Sequence, residues 1–110
     1  MNIKQVIGRS GETFASQVLE ANGYCIISRN FRCKLGEIDI IAERNGWIHF
    51  VEVKTRMSVR YGHPSEAIDQ MKQNKIRRVA EYFLNQYTGR YKGISFDAFV
   101  IESAYIENCI

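Results

Sequence analysis

The dipeptide Asn45-Gly46 constrains the fold of this chain more than any other feature, because it separates two segments that each resemble a β-strand. Residues 35–44 (LGEIDIIAER) and 47–54 (WIHFVEVK) are rich in β-branched and aromatic residues, which favour strands. Asn and Gly both tolerate the positive φ angles of a type I′ turn, the usual turn of a two-residue hairpin. The sequence therefore predicts a β-hairpin that turns at Asn45-Gly46.

The register of this hairpin predicts which charged side chains share a face. Counting back from the turn sets Asp39 directly opposite Glu52, and Glu37 opposite Lys54, all on one face. Directly opposed side chains have Cβ atoms about 4.5–5.5 Å apart, so the two acids would repel each other. A raised carboxyl pKa or a bound divalent cation would offset that repulsion. Lys54 is placed to hold a water or to stabilise charge on a phosphate, which is the division of labour that phosphodiester hydrolysis needs.

Apolar residues occupy the middle of both hairpin strands on both faces. Alternation predicts one apolar face made of Ile41, Ile48 and Phe50, and another made of Ile38, Ile40, Val51 and Val53. A sheet with two apolar faces must be covered on both, so we expect helices on either side of it.

Two helices and two further strands complete the predicted order α-β-β-β-α-β. Residues 8–21 carry an apolar stripe at helical spacing and end at Asn22-Gly23, and residues 24–31 are typical of a first strand. A long helix is predicted from 68 to 87, and a last strand from 94 to 101. The sequence thus predicts one α/β domain over residues 1–110, with a mixed sheet between helices.

Lys72 and Lys75 interrupt the apolar side of the second predicted helix. This interruption indicates either a kink in the helix or polar side chains that point towards a functional site. The segment before this helix, residues 55–64, contains Gly and Pro and is predicted to be a basic loop.

Composition limits where the protein acts and what it binds. The chain of 110 residues has no apolar run long enough to cross a membrane and no secretory signal at its start, so we expect a soluble, cytoplasmic protein without membrane attachment. Its three cysteines lack metal-binding or redox spacing and are expected to be reduced.

The net charge of +3 is too mild to identify a partner. Clustered cations would suit a phosphate backbone or, equally, a solvated surface; they include Arg32, Lys34, Arg56, Arg60 and Lys72.

Glu12 lies at the end of the buried stripe of the first helix. Favourable interaction with the helix N-terminus explains an acid there, so the residue pattern alone assigns it no catalytic role. His49 is expected to face away from Asp39 as a core histidine, and Asp97 is expected to be structural.

The residues resemble the YraN-like family, whose fold is similar to the restriction-endonuclease and archaeal Holliday-junction-resolvase group, the PD-(D/E)XK nucleases. The matching motifs cover nearly the whole chain; they are Gly11-Glu12-Thr13-Phe14-Ala15, Asn30-Phe31-Arg32 with Gly36-Glu37-Ile38-Asp39, and Phe50-Val51-Glu52-Val53-Lys54-Thr55-Arg56. One departure is Glu-Ile-Asp in place of the Pro-Asp of the wider superfamily. Asp supplies the metal ligand, so the change leaves the implied chemistry intact.

The resemblance implies that Asp39, Glu52 and Lys54 form the nuclease triad and that Glu12 is an additional carboxylate at the metal site. It also implies polar site residues at Lys72 and Gln73 on the second helix. The implied activity is that of an endonuclease on branched or structured DNA, dependent on Mg²⁺ or Mn²⁺.

The sequence is compatible with two further functions. A non-catalytic nucleic-acid-binding module would keep the fold without cleavage, and a purely structural protein would use Glu37 and Lys54 as a cross-strand ion pair. An intact set of two acids and a lysine favours the enzyme. Whether the substrate is DNA or RNA, and whether a homodimer forms to cut two strands, stays open.

Overall fold

A computed structural model of the protein describes the backbone of residues 3–58 and 70–104 and the side chains of residues 11–55 and 70–101. Two helices and four strands follow in the order α1 (Ile3–Ala21), β1 (Cys25–Cys33), β2 (Gly36–Arg44), β3 (Trp47–Ser58), α2 (Gln70–Gln86) and β4 (Gly93–Ala104). The predicted order α-β-β-β-α-β is confirmed.

The β2–β3 hairpin turns where the sequence predicts. Asn45 and Gly46 have φ angles of 55° and 84°, as a type I′ turn requires. Arg44 pairs with Trp47, and the ladder continues in the predicted register as far as Ile40–Val51. The turn is further held by the Gly46 amide, which donates to the Glu43 carboxylate at 2.8 Å.

The four strands form one mixed sheet in the order β1-β2-β3-β4. The first three strands are antiparallel, whereas β4 runs parallel to β3. A parallel pair needs a long crossover, and α2 lies in that connection between β3 and β4. The predicted mixed sheet is confirmed.

Each helix covers one face of the sheet. The α2 face contains Ile38, Ile41, Ile48 and Phe50, packed with Val79, Ala80 and Phe83 of the helix. The α1 face contains Ile40, Ala42 and Val51, packed with Ala15 and Leu19 of the helix. Two-sided coverage, the basis of the predicted α/β class, is confirmed. In the described part of the chain, neither helix has the apolar length that a membrane crossing requires.

The predicted face of Ile38 is wrong. Alternation assigned Ile38 to the face of Ile40, but it packs with Ile41 on the α2 face. The cause is an irregularity at the neighbouring residue, Asp39. The β1–β2 ladder passes from Arg29–Ile40 to Phe31–Ile38 without a pair at Asp39. Asn30, across from Asp39, has a φ of 55°, a left-handed conformation that interrupts regular strand geometry. The alternation therefore breaks at Asp39.

Several predicted boundaries also differ. Helix α1 begins at Ile3 rather than Gly8, and β1 extends to Cys33. Strand β3 continues to Ser58, so the first part of the predicted loop 55–64 is strand, because β4 pairs with β3 along its whole length. The rest of that loop, from residue 59, lies outside the described residues. Helix α2 is one helix over Gln70–Gln86, which favours the second interpretation of its lysines, polar groups directed at a site.

Candidate functional site

Asp39 lies where β2 and β3 leave regular pairing. Its Oδ2 atom accepts a hydrogen bond of 2.7 Å from the backbone amide of Val53. The side chain of Asp39 therefore makes a link from β2 to β3 just beyond the last ladder pair, Ile40–Val51. The sequence predicts that Asp39 pairs with Glu52 across the hairpin. In the structure, the Asp39 carboxylate instead contacts Val53, the residue after Glu52 on β3. This bond fixes the carboxylate at a defined position on the sheet.

The surroundings of Asp39 disfavour its charged form. Burial raises the pKa of Asp39 from 3.8 to about 6, against the opposing effect of the Val53 hydrogen bond. The neighbouring carboxylates of Glu52, Glu12 and Glu37 raise it further. The direction of this pKa shift is the one expected where acids crowd together. Such a site gains stability from any cation that enters it.

Asp39 and Glu52 share one cleft of about 420 Å³ between the sheet and α2. The lining residues come from β2, β3 and the first turns of α2; they are Gly36, Glu37, Asp39, Glu52, Met71, Lys72, Lys75 and Ile76. Lys72 Nζ lies 2.8 Å from Glu52 Oε1. The cleft thus combines acids on the sheet with lysines on the helix.

The two remaining proposed catalytic residues approach the same region. Alternation along β3 directs Lys54 to the face of Glu52, and its neighbour on β4 is Val100. Glu12 is half-buried on α1 and acts electrostatically on Asp39. Helix α1 comes close to β3 here, since a Cβ on Gly11 would lie 2.9 Å from Thr55 Oγ1. A glycine at this position lets the helix carry Glu12 close to the sheet.

The predicted nucleic-acid-binding residues divide into two groups. Lys72 lines the cleft, and Gln73 lines an adjoining cavity of about 290 Å³ that also includes Glu52. Arg32 forms an exposed ion pair of 3.0 Å with Glu37, so it lies at the rim of the cleft, and Lys34 is exposed in the β1–β2 turn. The side chain of Arg56 and all of Arg60 lie outside the described residues.

Comparison with known proteins gives the family of this chain. The profile of a family described as "Uncharacterised protein family UPF0102" matches residues 11–101. The chain belongs to this family. Its resemblance to YraN-like proteins is thereby confirmed.

Two relatives illustrate how closely UPF0102 proteins match. A UPF0102 protein of Caldicellulosiruptor saccharolyticus is 51% identical over 94 residues, which cover 86% of this chain and 80% of the relative. A UPF0102 protein of Clostridium botulinum strain Loch Maree is 55% identical over 78 residues, 71% of this chain. That match spans 63% of the length of the Clostridium protein.

The carboxylates of the cleft in this UPF0102 protein fit a hard cation that takes only one or two of its ligands from the protein. In the part of the chain that the structure describes, no group of three or more His, Cys, Asp or Glu is arranged to hold a metal ion. Glu12 is therefore near Asp39 without completing such a group. Mg²⁺ typically uses one or two protein carboxylates and takes its remaining ligands from water and substrate phosphates. Asp39 and Glu52, in one cleft, match that mode of binding.

A second polar cluster lies on the other face of the UPF0102 sheet. His49 Nδ1 is 2.6 Å from Asp97 Oδ2, and Ser95 Oγ donates to Asp97 Oδ1 at 2.7 Å. The His49 ring also packs edge to face against Tyr24, at 5.0 Å between centroids. Because the serine hydroxyl donates to the aspartate rather than to the histidine, this arrangement is not that of an activated serine nucleophile. The cluster fits the predicted core histidine and structural aspartate.

Two contacts of the site were not predicted from sequence. The bond from the Val53 amide to Asp39 involves a backbone group, which no residue pattern identifies. The Lys72–Glu52 ion pair joins distant elements, although the break in the apolar side of α2 at Lys72 was a signal that a polar group points inward.

Proposed function

We propose that this UPF0102 protein is a metal-dependent nuclease that hydrolyses phosphodiester bonds in structured or branched DNA. The observation that carries the proposal is the half-buried Asp39 carboxylate, whose pKa is raised to about 6 by burial and by three neighbouring acids. A carboxylate in a cleft whose pKa is shifted by burial and by specific charged neighbours is a candidate for a functional role. The proposal places the protein in the cytoplasm, where cellular DNA is found.

Each residue of the site has a role in this reaction. Asp39 and Glu52 would hold Mg²⁺ or Mn²⁺ through carboxylate oxygens, with Glu12 adding negative charge from α1. When bound, the metal supplies an activated water and neutralises charge on the phosphate. The Val53 amide orients Asp39 by its 2.7 Å hydrogen bond. Lys54, on the face of Glu52, orients the attacking water or stabilises charge on the phosphate.

The fold and the motif support membership of the PD-(D/E)XK nuclease superfamily. A mixed sheet between two helices carries the first acid on β2 and the Glu-Val-Lys segment on β3, in the order that the resemblance implies. Basic residues border the acids, with Lys72 and Lys75 in the cleft and Arg32 at its rim. Cations beside a metal site allow a phosphate backbone to approach the acids.

The test is a titration of Mn²⁺ and, separately, Mg²⁺ into the purified protein with labelled duplex, single-stranded and four-way-junction DNA. We expect cleavage that depends on the metal, is abolished by EDTA and is fastest on the junction. Binding of DNA without cleavage at any metal concentration would instead indicate the non-catalytic binding module. Absence of both binding and cleavage would reject a role on DNA. An RNA arm of the same design decides between the two nucleic acids.

A further inference from the structure

The Lys72–Glu52 ion pair is more than a surface contact. The two charged atoms are 2.8 Å apart, and the Glu52 side chain is only 15% exposed, whereas Lys72 is 47% exposed. Exposed ion pairs contribute little, but a carboxylate largely removed from water needs a partner for its charge. The ammonium group therefore lies against one of the two acids to which we assign the metal.

We propose that Lys72 is a built-in counter-ion of the metal-free site, which a divalent cation displaces from Glu52 so that its ammonium group becomes available to the substrate phosphate. This inference rests on the proposed function, because it concerns the same two acids. It changes the role of Lys72 from a simple phosphate contact to a positioning residue with two alternative partners.

The charge of the site explains why such a residue is needed. Three acids line the cleft, Asp39, Glu37 and Glu52, and Glu12 on α1 acts electrostatically on Asp39. Arg32 pairs with Glu37 at the rim, and Lys72 pairs with Glu52 inside. Without metal, the lysine reduces the repulsion that Glu52 exerts on Asp39. With metal, that compensation is no longer required.

Lys72 and a metal ion compete for the same carboxylate. Glu52 would hold the metal through the same carboxylate that the ammonium group of Lys72 contacts at 2.8 Å, and two positive charges at one carboxylate repel strongly in a partly dehydrated cleft. The lysine can leave because its stem is flexible and about half of its side chain is exposed. An ammonium group is also a suitable partner for phosphate, so the released lysine has a second site of action.

Lys75 provides the matched control. It lies on α2 about one turn beyond Lys72, is exposed, and lines the same cleft. Replacing either lysine with methionine removes one positive charge from the same helix while keeping an unbranched stem. The variants K72M and K75M therefore differ in the contact with Glu52 rather than in net charge.

The experiment measures Mn²⁺ affinity by electron paramagnetic resonance of free Mn²⁺, without DNA, for the wild type, K72M and K75M. We expect K72M to bind Mn²⁺ about 10-fold more tightly than the wild type, in the usual range of coupling between two sites. K75M should stay within about threefold, because an exposed and screened charge has a small effect. Thermal unfolding of each variant confirms that it is folded.

A second measurement uses the wild type alone. In ¹H–¹³C spectra, the Lys72 Cε resonance should shift when Mg²⁺ is added and should narrow as the ammonium group leaves Glu52. An unchanged Lys72 resonance at saturating Mg²⁺ would overturn the inference.

The outcomes separate the two proposals. Metal binding with equal affinity in the wild type, K72M and K75M, or weaker binding in K72M, would overturn the counter-ion role and leave the nuclease proposal standing. Mn²⁺ binding by K72M but not by the wild type would support the inference in its strongest form. Absence of Mn²⁺ binding in all three proteins would overturn both.

Discussion

Asp39 is held between opposing influences. The Val53 amide favours its carboxylate form, while burial and the acids around it favour the protonated form, and the second influence prevails in the pKa. A group whose pKa is higher in the folded than in the unfolded protein stabilises the fold fully below its unfolded value, and this contribution is lost as the pH rises through the folded value. For Asp39, the loss falls between about pH 4 and pH 6, the range between its two pKa values. Above that range, metal-free protein carries an unfavourable charge at this position.

Substitution Asp39→Asn should therefore stabilise the metal-free protein at neutral pH. An amide oxygen can still accept the hydrogen bond from Val53, but the side chain carries no charge. After allowance for its partial exposure, we expect a gain of about 1 kcal/mol at pH 7.5, equal to roughly 5 °C in melting temperature. The gain should shrink towards zero at about pH 4, where Asp39 is protonated in both states. Thermal unfolding in EDTA at several pH values measures this.

Asp97→Asn is the matched control for that experiment, because it makes the same chemical change on the other face of the sheet. It should not reproduce the stabilisation, since Asp97 is paired with His49 rather than surrounded by acids. If Asp39→Asn were less stable than the wild type at pH 7.5, the electrostatic description of the site would be wrong.

The hairpin is the element that sequence predicts best. Asn45-Gly46 requires positive φ at two successive residues, and that local requirement fixes the turn and the register as far as Ile40–Val51. Beyond that pair, the outcome depends on groups that are distant in sequence. Asn30 on β1 interrupts the pairing next to Asp39, and the Val53 amide captures the Asp39 side chain. Periodicity carries no information about either contact, which is why the face of Ile38 was predicted incorrectly.

Substitution Gly46→Ala tests how much the turn contributes. Gly46 has a φ of 84°, a conformation that costs a residue with a Cβ about 1 kcal/mol. The new Cβ would lie 3.0–3.2 Å from the stem of Lys92, which is flexible enough to move aside, so the backbone conformation determines the cost. We expect a loss of about 1 kcal/mol in urea unfolding, with an unchanged slope.

Asn45→Gly provides the comparison at the neighbouring turn position. Glycine also adopts the φ of 55° seen at Asn45, so this variant should unfold within about 0.5 kcal/mol of the wild type. Equal stability of Gly46→Ala and the wild type would show that the turn does not need a left-handed residue.

In the whole molecule, the candidate site draws on all three layers. The sheet supplies Asp39 and Glu52, α1 brings Glu12 close to them, and α2 supplies Lys72. The sequence places Asp39 and Glu52 close together because the hairpin register holds as far as the neighbouring pair, Ile40–Val51, although the two acids themselves do not pair as predicted. The residue pattern alone could not assign Glu12 or join Lys72 to Glu52, since both depend on how helices pack against the sheet. Strands β3 and β4 are longer than the predicted segments 47–54 and 94–101 because they pair with each other, and that pairing joins residues distant in sequence.

The proposed reaction requires Asp39 to hold the metal for phosphodiester hydrolysis. The single-turnover cleavage rate of a labelled four-way junction at saturating Mn²⁺, for the wild type, Asp39→Asn and Asp97→Asn, tests this requirement. Removing a metal ligand should lower the rate by about 100-fold or more, because the metal both activates water and stabilises the transition state. Asp97→Asn should cleave at close to the wild-type rate. Folded Asp39→Asn that cleaves as fast as the wild type would contradict the claim and leave Asp39 as a structural residue.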